Sequence, residues 1–200
     1  THAEFRARTG HAILERYGMT ETGMIASNPY DGARIAGTVG FALPDVSVRI
    51  AGQQPGVIEV KGPNVFKGYW RMPEKTAEEF TADGYFITGD VGIMDGDGRL
   101  TIVGRAKDLI ISGGFNVYPK EVEEALDAMP GVAESAVVGV PHPDFGEGVI
   151  AVVTARGSLP DEAEIVAALA QGLARFKVPK RVFVVDELPR NAMGKLQKAE

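Results

Sequence analysis

The sequence contains no cysteine, which excludes a disulfide scaffold, thiolate metal centres and a cysteine nucleophile, and which fits a reducing compartment. It has no apolar run of the roughly 18 residues that a membrane-spanning helix needs. Positive charge is also short: 21 Lys and Arg stand against 27 Asp and Glu, a net charge of −6 with a pI near 5.2. Nucleic-acid and membrane-surface binding, which call for a basic face, are disfavoured accordingly, and Tyr69 and Trp70 beside Phe66 read as packing. The histidines His2, His11 and His142 have no ligand spacing. Asp95-Gly96-Asp97-Gly98 lacks the glutamate that a calcium loop places at its twelfth position, where Ala106 stands. No GxxxxGK[ST] phosphate loop is present. A signal or transit segment is not evident either, and a cytoplasmic location is the expectation. The chain opens THAEFRARTG without a methionine and stops at QKAE without a cap, so both ends look cut and the chain reads as a piece of a longer one.

What is abundant is glycine, 25 in 200 residues, against an average of roughly 7%. Without a triplet period it must serve turns and backbone-lined sites. Periodicity gives a mixed α/β class. Residues 1–9 read as a helix and 12–17 as a strand or strand edge. Alternation predicts strands over 46–50 and 57–60. Pro near the start and acidic residues in the first turn predict a short helix over 73–80. The Asp-Gly run at 95–98 joins apolar segments 91–94 and 100–103 as a hairpin. Beyond Gly104 a second unit follows: helix 119–129, strand 132–140, a Pro/Gly-rich loop over 141–148, strand 149–154, amphipathic helix 161–176 and strand 181–185.

Four segments join glycine to polar residues that have something to hold. Tyr17-Gly18-Met19-Thr20-Glu21 follows an apolar stretch, a layout suited to a nucleotide phosphate and its magnesium, though a plain turn fits it as well. In Gly84-Tyr85-Phe86-Ile87-Thr88-Gly89-Asp90 the carboxylate of Asp90 follows a buried-looking strand; it could take two ribose hydroxyls or merely cap a turn. Arg105-Ala106-Lys107-Asp108 sits at the domain boundary, with a flexible Gly113-Gly114 pair after it, and reads as a short, constrained linker. Pro189-Arg190-Asn191-Ala192-Met193-Gly194-Lys195 puts a lysine on a glycine-containing loop.

In order and spacing, these four segments resemble the acyl-adenylate-forming enzymes, a family of acyl-CoA synthetases, peptide-synthetase adenylation domains and luciferases. The resemblance runs over essentially the whole chain. It implies the end of a large N-terminal domain, β-rich, over 1–103, a hinge at 104–108, and a small mobile α/β domain over 109–200, truncated at its end. It implies nucleotide binding by Tyr17, Gly18, Met19 and Thr20, with Tyr17 near adenine and Thr20 on phosphate. Glu21 would hold Mg²⁺, and Asp90 and Arg105 the ribose hydroxyls. Lys107 matches the hinge residue. Gly114, with Gly113 beside it, matches the glycine bordering the CoA tunnel. Lys195 matches the catalytic lysine that bridges carboxylate and ATP, and its context resembles relatives controlled by a lysine acetyltransferase and deacetylase. The family's own phosphate loop and most of the acyl pocket would lie upstream.

Within that family, AILERYGMTET, SNPYDGARIAGTVG, KGPNVFKGYWRMPEKTAEEF and PHPDFGEGV resemble the malonyl-CoA synthetases most. The implied reaction is malonate, ATP and CoA to malonyl-CoA through a malonyl-adenylate, with Arg34 as the cation for the distal carboxylate; the competing reading of Arg34 is a loop arginine facing solvent. Rival readings are another short-chain or aryl acyl-CoA synthetase, a carrier-loading adenylation domain, and a non-catalytic fragment.

Overall fold

The computed structural model describes residues 2–198. The chain divides into two compact units between Ala106 and Lys107. In the N-terminal unit, helix α1 (His2–Thr9) leaves even Phe5 exposed and buries no residue. Strands β1 (Arg16–Met19), β2 (Gly23–Ser27) and β3 (Phe41–Ala42) form a three-stranded antiparallel sheet. Strands β4 (Ser47–Ile50) and β5 (Gly56–Lys61) precede helix α2 (Pro73–Glu78), and β6 (Phe86–Met94) and β7 (Leu100–Arg105) complete a four-stranded antiparallel meander. Tyr17, Ile25, Ala26, Ile58, Val60 and Leu100 make the core, joining the two sheets. Phe66, Phe80 and Phe86 pack beside one another at ring-centroid distances of 5.4 to 6.1 Å.

The C-terminal unit opens with a single 3-10 turn carried over from Ala106 to Asp108. Strands β8 (Ile110–Ser112) and β9 (Phe115–Val117) lead to helix α3 (Pro119–Asp127). Strands β10 (Val132–His142) and β11 (Gly146–Ala155), helix α4 (Glu162–Gly172) and strand β12 (Arg181–Val185) follow. Along one edge β11 pairs with β10 throughout; its other edge takes β8 at Gly146 and, in parallel, β12 over residues 150–154. Alternate residues Val149, Ala151 and Val153 of β11 point into a core completed by Val122, Leu126, Ile165 and Leu169. A reciprocal cap fixes the start of α4: Asp161 accepts from the Glu164 amide at 2.9 Å, and Glu164 from the Asp161 amide at 3.0 Å. Among the described residues no helix is long and apolar enough to cross a membrane.

Several expectations are corrected. The 141–148 stretch is no loop but the tip of the β10–β11 hairpin, with only residues 143–145 unpaired. Pro141 is tolerated inside β10 because that strand lies at the sheet edge. Helix α4 stops at Gly172, not 176: Leu173 turns extended, and Phe176 stacks on Phe115 at 4.5 Å. The first strand starts at Arg16 rather than residue 12. Gly113 and Gly114 are not a flexible linker. Both have positive φ, 58° and 81°, and they turn the tight β8–β9 hairpin, in which Ser112 faces Phe115.

The β1–β2 hairpin depends on Gly18. A Cβ there would lie 2.2 Å from the Gly23 carbonyl oxygen, at a bulge between Tyr17 and Gly18. Gly18→Ala should therefore lower stability by about 1–3 kcal/mol through overpacking. Gly96→Ala, where a Cβ meets nothing within 4 Å, should be neutral or slightly stabilising. Thermal unfolding of the two variants side by side checks the contrast.

Candidate functional site

Asp90 occupies the middle of β6 and is only 6% exposed. A buried carboxylate needs donors, and two distant segments supply them. The Tyr17 hydroxyl, from β1, donates to Oδ2 at 2.6 Å. Arg105 Nε, from β7, donates to Oδ1 at 2.9 Å, and Asp90 and Arg105 are direct partners in the β6–β7 register. Thr88 completes the support: its Oγ1 accepts from the Asp90 amide at 3.1 Å and donates to the Ile58 carbonyl at 2.8 Å. Burial, reinforced by the bond to Asp90, pushes the Tyr17 phenol above its ordinary range, so it remains a donor at neutral pH. Each Asp90 oxygen keeps acceptor capacity for a further hydroxyl. The ring of Tyr17, at 7% exposure, packs in the core, and its hydroxyl is the group that meets Asp90.

The rest of the segment that begins at Tyr17 turns the hairpin. Gly18 and Met19 end β1, and exposed Thr20 and half-buried Glu21 form the bend. That bend is braced from residues 64–69. The Asn64 amide donates to the Thr22 and Met24 carbonyls at 2.8 and 3.1 Å, the Phe66 amide donates to the Glu21 carbonyl at 2.7 Å, and the Tyr69 hydroxyl donates to Glu21 Oε1 at 3.2 Å. Burial and the Glu21 charge raise the Tyr69 pKa. The loop after β2 is organised by Asn28, which is 2% exposed. Its Oδ1 accepts from the Ile35 amide, Thr38 Oγ1 and Arg99 Nη1, and its Nδ2 donates to the Thr38 carbonyl. Arg34 donates to three backbone carbonyls, of Pro29, Ala12 and Tyr30, at 3.3, 2.8 and 2.8 Å. It ties that loop down, and one N–H on each terminal nitrogen is left over.

In the C-terminal unit, Lys107 is exposed in the 3-10 turn, and the Gly113 amide donates to the Phe145 carbonyl at 2.8 Å. Lys195 is exposed on a small loop closed by a bridge between Arg190 and Leu196. Asn191 braces this loop: its Oδ1 accepts from the amides of Met193 and Lys195 at 3.0 and 2.9 Å, and its own amide donates to the Lys195 carbonyl at 2.9 Å. Tyr17, Asp90 and Arg105 are thus joined directly, with Glu21 on the same hairpin as Tyr17, whereas Lys107, Gly113, Gly114 and Lys195 belong to the other unit.

Sequence reasoning missed Thr88, Asn28, Asn64 and the bond from Tyr69 to Glu21. Thr88 lies in the Thr88-Gly89-Asp90 run, where its hydroxyl is a local signal; the others act on partners far away in sequence. Among the described residues no group of three His, Cys, Asp or Glu side chains is placed to hold a metal ion.

Residues 1–70 match the AMP-binding enzyme family and residues 121–195 match the AMP-binding enzyme C-terminal domain. The chain is 44% identical to the malonate–CoA ligase of Arabidopsis thaliana, over 98% of this chain and 35% of the relative. It is 46% identical to a feruloyl-CoA synthase of an Amycolatopsis species, over 96% of this chain and 41% of that one. The crystal structure of ATP-bound MatB from Rhodopseudomonas palustris is 61% identical and superposes with a TM-score of 0.93, covering 99% of this chain and 41% of the other. The chain therefore spans well under half the length of these relatives. With both of its units matched and its motifs in the family's order, it belongs to the AMP-binding enzymes of the acyl-adenylate-forming superfamily, whose acyl-CoA synthetases it resembles throughout.

Proposed function

We propose that this chain carries part of the catalytic machinery of an ATP-dependent acid–CoA ligase that forms malonyl-CoA through a malonyl-adenylate. The observation that carries the reading is the buried Asp90, gripped by Tyr17 and Arg105 and still able to accept from a vicinal diol such as a ribose. In the first half-reaction a carboxylate oxygen attacks the α-phosphorus and pyrophosphate leaves. Two anions meet there, and Lys195 on its braced loop brings the charge that the developing phosphorane needs. Magnesium would neutralise phosphate charge. Glu21 suits it as a single protein ligand, because one of its carboxylate oxygens is free of Tyr69 and magnesium in such sites takes one or two carboxylates with substrate phosphates.

In the second half-reaction the CoA thiolate attacks the acyl carbonyl and AMP leaves. The backbone of the Gly113-Gly114 turn would line the thiol's approach. Lys107 is the residue about which the C-terminal unit, from roughly the 104–108 stretch onward, would turn between half-reactions. An exposed Lys195 is also where acetylation by a lysine acetyltransferase would switch off the first step, by removing its charge.

Malonate is favoured by the Arabidopsis relative, while the comparably identical feruloyl-CoA synthase favours an aryl acid. The three carbonyl partners of Arg34 speak for Arg34 as a loop staple, which would leave a distal carboxylate to a cation outside this chain. The two N–H groups left on its terminal nitrogens speak for Arg34 as that cation.

Three measurements on the full-length enzyme test the proposal. It should convert malonate, ATP and CoA to malonyl-CoA, AMP and pyrophosphate, and Asp90→Asn should raise the KM for ATP about ten- to a hundredfold through loss of charge-assisted bonds; release of ADP instead of AMP would overturn the mechanism. Lys195→Ala should slow malonate-dependent pyrophosphate exchange about 10²- to 10³-fold while sparing thioester formation from supplied acyl-adenylate; equal loss in both halves would refute the role. Arg34→Leu should lower kcat/KM for malonate by roughly a hundredfold or more, in line with breaking one side of a desolvated charge pair, and lower it far less for propionate, which has no second carboxylate. Equal factors would make Arg34 a loop staple alone.

A further inference from the structure

The loop that carries Lys195 is braced within itself, but a braced loop on a swivelling stem would still scatter its lysine over many positions. Two ion pairs tie its stems to the rest of the unit. On one stem, Arg190 Nη2 sits between both oxygens of Glu134, at 2.6 and 2.7 Å, while its Nη1 donates to the Gly194 carbonyl at 2.9 Å. A single guanidinium thus connects the residue before Lys195 to β10. On the other stem, Lys198 Nζ lies 2.5 Å from Glu123 Oε1 on α3, an oxygen that also accepts from the Val137 amide at 2.8 Å.

Glu134 reaches Arg190 from a place where β10 is irregular: the pairing with β11 shifts register between Val132 and Glu134. Such a bulge re-aims the side chain next to it. The side chains of Arg190 and Glu134 are 41% and 53% exposed, and exposed ion pairs add little to folding stability. A contact that does little for the fold, yet makes three hydrogen bonds around the loop of one exposed lysine, has geometry as its product.

We propose that Arg190 and Glu134 are positioning residues for Lys195. Their ion pair anchors the 190–196 loop to β10 so that the ammonium is presented in one orientation when the acid is activated. The inference rests on the reading of Lys195 as the lysine of adenylate formation and deepens it. Glu134 is 61 residues from Lys195 in sequence, and its own motif context marks it as nothing more than a polar strand residue.

The test uses the full-length enzyme with the acid that it turns over fastest. Glu134→Gln and Arg190→Gln should each slow acid-dependent pyrophosphate exchange about ten- to a hundredfold, as small misplacements of a catalytic group do. Thioester formation from supplied acyl-adenylate should stay within about twofold, and the KM for ATP should be little changed. The charge-exchanged pair Glu134→Arg with Arg190→Glu should recover part of the lost exchange. In the Lys195→Ala background Glu134→Gln should add no further loss, because it acts only through that lysine. Should Glu134→Gln fail to fold, Arg190→Lys, which keeps the charge but not the fork, gives the same comparison. Equal slowing of both half-reactions, a further loss on top of Lys195→Ala, or full exchange activity in Glu134→Gln where Lys195→Ala has lost it, would overturn the proposal. Undiminished exchange in Lys195→Ala would instead overturn the underlying role of Lys195.

Discussion

A carboxylate buried at Asp90 cannot stand alone in a protein interior, and the N-terminal unit is arranged around that demand. Its two oxygens are met from two sides, by a phenol from β1 and a guanidinium from β7. The first requires the β1–β2 hairpin to bring Tyr17 against β6. That hairpin closes only because Gly18 lets the Gly23 carbonyl approach where a side chain would stand. The second requires β7 to pair with β6 in the register that sets Arg105 opposite Asp90. The core residues Ile25, Ala26, Ile58 and Leu100 hold both sheets in the relation that these bonds need. Packing and polar satisfaction reinforce each other here: a slip of one residue in either pairing would strand the carboxylate and turn the core side chains outward.

The same logic explains what the sequence made legible. A strand with alternation, Ser47–Ile50, a short apolar run, Arg181–Val185, and helices with a proline or a cap at their start, Pro119–Asp127 and Glu162–Gly172, were readable because their signal is local. The β10–β11 hairpin tip was misread because two prolines and two glycines ordinarily punctuate loops, whereas an edge strand accommodates a proline. Strand β2 was missed because Met24, Ile25 and Ala26 run together without alternation, and the three-residue β9 because it is too short to show a period. The Gly113-Gly114 pair was taken for slack, although adjacent glycines are also what a hairpin turn with two positive φ values requires.

For the candidate site, Tyr17, Glu21, Asp90, Arg105 and Lys195 were singled out by resemblance, and the direct bonds among Tyr17, Asp90 and Arg105 could not be inferred from spacing. The supporting polar residues were illegible for a plain reason. Asn28 binds Arg99, 71 positions away, and Asn64 binds Thr22, 42 positions away. Periodicity reports on neighbours three, four or two residues apart, so such partners leave no trace in it. Arg34 shows the converse: its place between two recognisable segments suggested a ligand-facing cation, and its three carbonyl partners reveal how much of that side chain the loop itself uses.

Among the described lysines two electrostatic arrangements differ, and the difference bears on what each can do. Lys75, Lys177 and Lys198 are each held against a glutamate, at 3.0, 2.6 and 2.5 Å, and the field of a lysine in such a pair is largely cancelled within a few ångströms. Lys195 has no such neighbour among the described residues of its unit, and its constraint comes from the backbone: amides and a carbonyl pinned by Asn191. A neutral anchor fixes position without neutralising charge. A lysine held by a carboxylate would have to break that pair before it could stabilise developing negative charge, and the reorganisation would subtract from its effect. Placing the opposing charge one step away, where Arg190 meets Glu134, secures the loop while leaving the lysine's own field intact.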